Sequence, residues 1–463
     1  MDKSMEVFLM GKGTTVGNEK IVALFDAGTF VETGAYVKRA DGGMVGVVCG
    51  YGAINGRLVY AFAQDSDQKK GAFDALQAEK IASLYAMAMK NGAPVIGIFD
   101  SVGAILCDGA SVMSAYGKFL SVVSAASGVI PQIALIDGVC AGLGATLASM
   151  FDLTVTVKEK SKLFVNAPFL IGKEIGSAEY TAKIGLSSVV TESSEEAVAK
   201  ARRLIALLPS NNAEGVVAEE ICDDINRTVA VDGLAGKALI EQIADAGEFV
   251  ELGADYAGEM LTGFASFGGV TCGVVANNSS VNNGVITCEG AKKAAKLVSF
   301  CDSFSIPVVT LTDSTGVEAS AEAESAPLAA QLGKLAMAYA SADTAKVTVV
   351  TGKAYGASFT LMGSKALGAD MVFALPTAEI SVMEPASAVA FLWNDKITED
   401  VSRADLIEEW KKTVAAPEAA AADGSIDDVI DAAELRQRIC AAVYMLMAKS
   451  TGTPARKHCN LPL

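Results

Sequence analysis

The 463-residue sequence repeats itself at a spacing of 213 to 214 residues. The first-half segments NGRLVYAFAQDS, APVIGIFDSVG and IPQIALIDGVCAGLGA correspond to GGVTCGVVANNS, IPVVTLTDSTG and AKVTVVTGKAYGASF in the second half. The matched residues are Gly56 and Gly269, Pro94 and Pro307, Asp100 and Asp313, and Gly142 and Gly356. Nearly equal offsets over about 90 residues indicate a duplicated domain.

The order of apolar and helical segments in each half predicts the fold class. Short apolar runs such as PVIGIFD and VTVVTG alternate with Ala-rich helical stretches such as DALQAEKIASLYAMAMKNG. This alternation is typical of an α/β fold built around largely buried parallel strands. The segment LLPSNNAEGVV, residues 207–217, brings Pro, Ser and Asn after an apolar helix. We therefore predict one domain over residues 1–212 and a second over residues 213–463.

The overall charge excludes several classes of partner. The formal net charge is −17 and the isoelectric point is about 4.7, so the chain repels nucleic acid and anionic lipid.

The nine cysteines contain no Cys-x-x-Cys pair, and the start MDKSMEVFLMGKG lacks a secretory leader pattern. We therefore expect a cytoplasmic protein, with membrane association only through partner subunits.

The long apolar stretch at residues 119–151 resembles a membrane span in composition. Asp137 is the only charged residue from Phe119 to Phe151. Pro131, Gln132 and several Gly and Ser residues divide the stretch into a strand and a helix of ordinary length. We interpret it as buried core.

The sequence contains few side chains suited to catalysis. His458 is the only histidine, which excludes histidine-activated nucleophiles and His-rich metal sites; we expect a structural role for it and no bound metal. No Gly-x-x-x-x-Gly-Lys-Ser/Thr loop is present, so an ATPase is not supported. Paired carboxylates are expected by chance among 54 acidic residues.

Two Gly-rich turns remain, at Gly142-Leu143 and Gly356-Ala357. Each follows a predicted strand and precedes a predicted helix, where the first backbone amides lack intrahelical acceptors and lie at the positive end of the helix dipole. Such amides can hold an oxyanion, and a glycine lets a carbonyl oxygen approach closely. One such turn is more often explained by close helix packing, but two copies at matched places favour anion binding.

The sequence resembles the biotin-dependent acyl-CoA carboxyltransferases, whose halves are each crotonase-like domains. The resemblance is carried by DAGTFVE, INGRLVYAFAQD, NGAPVIGIFDS, ASGVIPQIALIDGVCAG and VKEKSKLFVNAP in the first half. In the second half it is carried by GFASFGGVTCGVVANN, CDSFSIPVVTLTDSTG, KVTVVTGKAYGASF, PTAEISVM, GSIDDVID and KHCNLPL. It implies two tandem domains with the ClpP/crotonase fold, a spiral of ββα units.

The resemblance also implies an activity, the transfer of a carboxyl group between N1 of biotin and the α-carbon of an acyl-CoA. The amides of Gly142 and Leu143 would bind the thioester oxygen of the coenzyme A substrate, and those of Gly356 and Ala357 the biotin carbonyl. Freed biotin can itself accept the α-proton, so that no histidine base is needed. The residues expected to line the substrate sites are Val102, Gly103, Ala104, Ala141, Tyr355 and Thr360.

The implied partners follow from what this chain lacks. The segment MAMK, residues 87–90, lies in a predicted helix and is rejected as a biotinylation site, so biotin is expected on a separate biotinyl carrier protein. Further partners would be a biotin carboxylase or membrane decarboxylase subunits. In this family the first domain of one subunit faces the second domain of another, which implies a homodimer or a hexamer built as a trimer of dimers.

The sequence departs from the family pattern at several positions. Residues 102–105 read Val-Gly-Ala-Ile where the family usually has Gly-Gly-Ala-Arg, and Leu143 and Ala357 stand where glycine is common. Two alternatives therefore stay open: an active subunit of an acyl-CoA carboxylase or a sodium-pump decarboxylase, and a catalytically decayed subunit with a structural role. The retention of Gly142 and Gly356 favours the enzyme.

Overall fold

The computed structural model describes residues 15–171, 175–218 and 220–449. His458 lies outside these residues, as does Cys459. The chain divides into two compact units, Met1–Glu214 and Gly215–Leu463.

The first unit alternates strands with helices. Its strands are β1 (Val31–Thr33), β2 (Val47–Ile54), β3 (Arg57–Gln64), β4 (Val95–Ser101), β5 (Gln132–Ala141), β6 (Leu153–Val157), β7 (Lys162–Phe164) and β8 (Val189–Thr191). Its helices are α1 (Val16–Leu24), α2 (Ala75–Asn91), α3 (Ala110–Ala126), α4 (Leu143–Ser149), α5 (Pro168–Ile171), α6 (Ala178–Lys183) and α7 (Ser194–Leu207).

These strands form one sheet in the order β1-β2-β3-β4-β5-β6-β8, and β7 pairs with β5 beyond the end of β6. The strands β1 to β3 are antiparallel neighbours, whereas β3, β4, β5, β6 and β8 run parallel. Parallel strands require crossover connections, which here are helical. The carboxyl ends of β4 and β5 consequently lie side by side, followed by the loop at residue 102 and the turn at Gly142.

The second unit has the same succession of strands, with additional helices between them. Its strands are β9 (Phe249–Leu252), β10 (Met260–Phe267), β11 (Val270–Asn277), β12 (Val308–Ser314), β13 (Lys346–Tyr355), β14 (Met371–Ala374), β15 (Glu379–Ser381) and β16 (Asp428–Val429). Its helices are α8 (Gly236–Ile243), α9 (Cys288–Ser303), α10 (Ala321–Ser325), α11 (Leu328–Ser341), α12 (Ala357–Leu361), α13 (Pro385–Leu392), α14 (Arg403–Thr413), α15 (Pro417–Ala422) and α16 (Leu435–Leu446).

The sheet of the second unit repeats the first in order and direction. Its order is β16-β14-β13-β12-β11-β10-β9, and β15 pairs with β13 as β7 pairs with β5. Strands β9 to β11 are antiparallel neighbours, and the rest are parallel. The predicted α/β fold with a duplicated domain is confirmed.

Local sequence sets the limits of the helices that cover these sheets. Helix α2 starts after Asp74, whose carboxylate accepts the amide of Gln77 at 2.8 Å, and ends at Gly92 in the left-handed conformation. Its counterpart α9 starts after Thr287, whose hydroxyl accepts the amide of Gly290 at 2.9 Å. Helix α2 contains residues 87–90, the segment rejected as a biotinylation site.

The apolar stretch at residues 119–151 belongs to the core of the first unit. It contributes the end of α3, all of β5 and all of α4, and Ile133, Ala134 and Ile136 are fully buried. Phe119 packs edge-on against Phe62 within this core. Within the described residues, none of the helices has the length and hydropathy that a membrane span needs.

Candidate functional site: two strand-to-helix turns

The first predicted turn joins β5 to α4. Gly142 has φ +64° and ψ −130°, a backbone conformation that residues with a side chain rarely adopt. A Cβ added to this glycine would have no atom within 4 Å, so the space over the turn is open. Leu143, the first residue of α4, is exposed.

Hydrogen bonding distinguishes the two amides of this turn. The amide of Gly142 donates to the carbonyl oxygen of Phe164 at 2.9 Å, which extends the pairing of β5 with β7 by one residue. The amide of Leu143 has no acceptor within the described part of the chain. Of the predicted pair, Leu143 therefore has the donor that is free to bind a ligand in this structure.

The second turn joins β13 to α12 and has the same geometry. Gly356 has φ +56° and ψ −130°, and its amide donates to the carbonyl oxygen of Ser381 on β15 at 2.8 Å. Ala357 is exposed, and no acceptor for its amide is found among residues 15–171, 175–218 and 220–449. The matched turns thus expose one free amide each, directly after the glycine.

The loop after β4 packs beside the first turn. Gly103 has φ +108°, and a Cβ added to it would lie 4.0 Å from the carbonyl oxygen of Ala141. Ala104 forms a single parallel bridge with Phe73, in which Phe73 donates to Gly103 and Ile105 donates to Phe73. Because the residues on either side of Ala104 make these bonds, its own amide faces away from Phe73, and no acceptor is found for it in the described residues.

The loop after β12 repeats this arrangement. Gly316 has φ +135°, and its added Cβ would lie 3.8 Å from the carbonyl oxygen of Tyr355. Val317 bridges Ile286, whose amide donates to Gly316 and whose carbonyl accepts from Glu318. The amide of Val317 has no acceptor in the part of the chain that the structure describes. Val317 is not among the site residues expected from the sequence, since only the bridge geometry reveals its free amide.

The other predicted site residues differ in how accessible they are. In the first unit Val102 is 50% exposed, whereas Gly103 and Ala141 are buried. In the second unit Thr360 is exposed on α12, but Tyr355 is only 3% exposed. Burial and a hydrogen bond to the Glu379 carboxylate raise the pKa of the Tyr355 hydroxyl.

Among the described residues, the nucleophilic side chain nearest the first turn is a buried thiol. The thiol of Cys140 lies under the turn, 3.6 Å from the position of a Cβ added to Gly144. Burial raises the pKa of this thiol, so it stays protonated and is a poor nucleophile. Among the described residues, no group of three His, Cys, Asp or Glu side chains could hold a metal ion.

The sequence matches the model of a known protein family over nearly its full length. The model of the carboxyl transferase domain family matches residues 10–461. The chain belongs to this family. The resemblance drawn from the sequence is thereby confirmed.

Relatives of this carboxyl transferase chain align over nearly its full length. It is 36% identical to the propionyl-CoA carboxylase beta chain of Roseobacter denitrificans, over 98% of this chain and 94% of the relative. It is 34% identical to the methylmalonyl-CoA decarboxylase subunit alpha of Veillonella parvula, with the same shares covered. Carboxylases and decarboxylases are therefore both among its relatives.

A solved structure supports the same relationship. The crystal structure of transcarboxylase 12S, described as a hexamer with hydrolysed methylmalonyl-coenzyme A bound, matches the carboxyl transferase chain with a TM-score of 0.92. The match covers 99% of this chain and 94% of that structure, at 35% identity. The crotonase-like fold expected from the sequence is confirmed.

Proposed function

We propose that this chain transfers a carboxyl group between the α-carbon of an acyl-CoA and N1 of biotin held on a separate biotinyl carrier protein. The observation that carries the proposal is the free amide that follows the glycine in each of the two matched turns. Both carbonyl reactants develop negative charge on oxygen during such a transfer, and preorganised amides stabilise that charge more than they stabilise the neutral reactant.

In the first unit, the acyl-CoA thioester oxygen would accept from Leu143. Ala104 would supply the second donor, because its amide is also free and its loop packs beside the turn. Gly142 would contribute its backbone conformation instead of its amide, which is bonded to Phe164. The exposed side chain of Val102 stands on the same loop and would contact the substrate.

In the second unit, the carbonyl oxygen of biotin would accept from Ala357, with Val317 as the second donor. Free amides fit a neutral urea oxygen, since they supply hydrogen bonds without a titratable group. When bound, biotin would supply the nitrogen that carries the carboxyl group. Thr360, exposed just after the turn, would line this side of the site.

The carrier, the carboxylase or decarboxylase subunits and the homo-oligomer belong to the same proposal. The transcarboxylase 12S structure is described as showing hexamer assembly and substrate binding to a multienzyme core, which supports a dimer or hexamer for this chain. Location in the cytoplasm is likewise proposed, because the cysteines in the described residues are free thiols, as is usual in a reducing compartment.

The experiment is a transfer assay in both directions. Purified protein is incubated with carboxylated biotin and a panel of acyl-CoAs including propionyl-CoA, and separately with free biotin and methylmalonyl-CoA. We expect a new acyl-CoA product in at least one direction. No product in either direction, from protein that is folded, would favour a catalytically decayed subunit.

A further inference from the structure

The two turns are supported differently by the side chains around them. In the second unit the hydroxyl of Tyr355, the residue before Gly356, donates to the carboxylate of Glu379 on β15. Glu379 also faces the ammonium group of Lys411 on α14 at 3.7 Å. A partly buried side-chain hydrogen bond therefore links the end of β13 to the strand beside it.

Two more hydrogen bonds reinforce the second turn. The hydroxyl of Ser358 donates to the carbonyl oxygen of Tyr355 at 2.8 Å, across the glycine. The indole nitrogen of Trp410 donates to the hydroxyl of Ser381 at 3.2 Å, and the carbonyl of Ser381 accepts the amide of Gly356. The backbone is thus held both before and after the residue with the left-handed conformation.

In the part of the chain that the structure describes, no equivalent side-chain bonds support the first turn. The pairing registers make Ala141 the counterpart of Tyr355 and Lys162 the counterpart of Glu379. Gly144 stands in the place of Ser358. Alanine and glycine have no polar side-chain atom, so among the described residues the first turn is held by backbone pairing alone.

We propose that Tyr355, Ser358 and Glu379 form a side-chain brace that positions the free amide of Ala357. In this proposal Tyr355 is a positioning residue, in place of the substrate contact expected from the sequence. The inference rests on the proposed function, because the amide of Ala357 is the donor assigned there to the biotin carbonyl.

The physical reason is that a displaced donor loses much of its effect. Hydrogen bonds to a developing charge depend on distance and direction, and a displacement of about 1 Å can cost on the order of a hundredfold in rate. Ala357 is exposed, whereas Tyr355 and Ser358 are buried. Hydrogen bonds from these two buried side chains therefore supply rigidity to the backbone before the exposed Ala357.

The central variant is Tyr355→Phe, which removes one hydroxyl and keeps the ring. The matched control is Tyr339→Phe: Tyr339 is fully buried in the same unit and its hydroxyl shares a hydrogen bond of 2.9 Å with Thr310. Both variants remove the hydroxyl of a buried tyrosine and with it one side-chain hydrogen bond, so a general loss of stability is expected in each.

The first readout is hydrogen–deuterium exchange of peptides that cover each turn, which needs no enzymatic activity. In Tyr355→Phe we expect the amide of Gly356 to exchange about tenfold faster or more, because its bond to Ser381 opens more often. The peptide covering Gly142 should be unchanged, and Tyr339→Phe should resemble the wild type at both turns. Unchanged exchange at Gly356 in Tyr355→Phe would overturn the brace.

The second readout is steady-state transfer with methylmalonyl-CoA and free biotin. In this step the carboxyl group leaves the α-carbon for N1 of biotin, and the N1 proton ends on the α-carbon to give propionyl-CoA. We expect Tyr355→Phe to lower kcat about tenfold or more, with the KM for methylmalonyl-CoA within about twofold of wild type. A kcat equal to that of Tyr339→Phe would contradict the brace.

Two substitutions of Glu379 test the same brace without altering Tyr355. Glu379→Gln keeps an oxygen that accepts from the Tyr355 hydroxyl, so it should retain slow exchange at Gly356, whereas Glu379→Ala should not. Equal exchange in the two variants would count against the brace. If the wild type transfers no carboxyl group, that result counts against the proposed function, and the exchange readout still decides the brace.

Discussion

The carboxylate of Asp100 occupies the space in which a side chain on Gly138 would have to stand. A Cβ added to Gly138 would lie 2.1 Å from the nearer oxygen of that carboxylate. The second unit repeats the relationship: a Cβ on Gly352 would lie 2.3 Å from an oxygen of Asp313. Each glycine lies four residues before the glycine of a turn, so in both units a carboxylate packs against the strand that leads into the turn.

Replacing Gly138 with alanine should destabilise the first unit. The added methyl group displaces Asp100, whose carboxylate is bonded to the ammonium group of Lys20 at 2.7 Å. Overpacking of this kind costs about 1–3 kcal/mol in the free energy of unfolding. Urea-induced unfolding measures it.

The control for this variant is Gly117→Ala. Gly117 is exposed on α3, and an added Cβ there meets no atom within 4 Å. This substitution should stabilise the protein by up to about 1 kcal/mol, because alanine favours the helix. A Gly138→Ala variant as stable as the wild type would show that Asp100 is free to move.

The buried lysine of α9 should make stability depend on pH. Lys293 donates to the carbonyl oxygens of Gly253 and Tyr256, and burial lowers its pKa to about 8. Between that value and the ordinary value of 10.5 the unfolded state binds more protons, so the free energy of unfolding rises with pH in this window.

This contribution disappears in Lys293→Met. The free energy of unfolding of the wild type, minus that of the variant, should therefore increase by about 2 kcal/mol from below pH 8 to pH 9.5. Urea titrations at the two pH values measure the growth. A constant difference would mean that Lys293 keeps an ordinary pKa in the folded protein.

A buried ion pair should dominate the stability of α16. Arg436 is fully buried and lies 2.5 Å from the carboxylate of Asp245, which also accepts the amides of Gly268 and Gly269. Arg436→Met leaves that carboxylate buried without its charge partner and should cost about 3–5 kcal/mol in the free energy of unfolding.

Arg438→Met on the same helix is the matched comparison. The side chains of Arg438 and its partner Asp428 are 40% and 50% exposed, and ion pairs open to solvent contribute about 1 kcal/mol or less. Thermal or urea unfolding distinguishes the two variants. Similar losses of unfolding free energy in both variants would show that solvent stabilises the Asp245 carboxylate once Arg436 is removed.

The repeat made the architecture predictable from the sequence. Segments that match at a constant offset must fold alike, and β4 and β12 indeed occupy equivalent places in two sheets of the same order. The turns were also predictable, because a glycine between an apolar strand and a helix marks the conformation found at Gly142 and Gly356.

The hydrogen-bond state of each amide could not be predicted from the sequence. The acceptors for Gly142 and Gly356 are carbonyls of Phe164 and Ser381, which belong to short strands that come later in the chain. No local pattern reveals such a pairing. Tyr355 presents the same difficulty, since its acceptor Glu379 is brought close by β15.

The most direct measurement of the central claim removes one free amide at a time. Proline is tolerated at the first position of a helix, which Leu143 and Ala357 occupy, and it has no amide hydrogen. The control variants Leu143→Ala and Ala357→Ser keep the amide. We predict that Leu143→Pro and Ala357→Pro each lower kcat for carboxyl transfer by about a hundredfold to a thousandfold, while the controls stay within about tenfold of wild type. Proline variants that are folded and transfer carboxyl groups as fast as their controls would contradict the account.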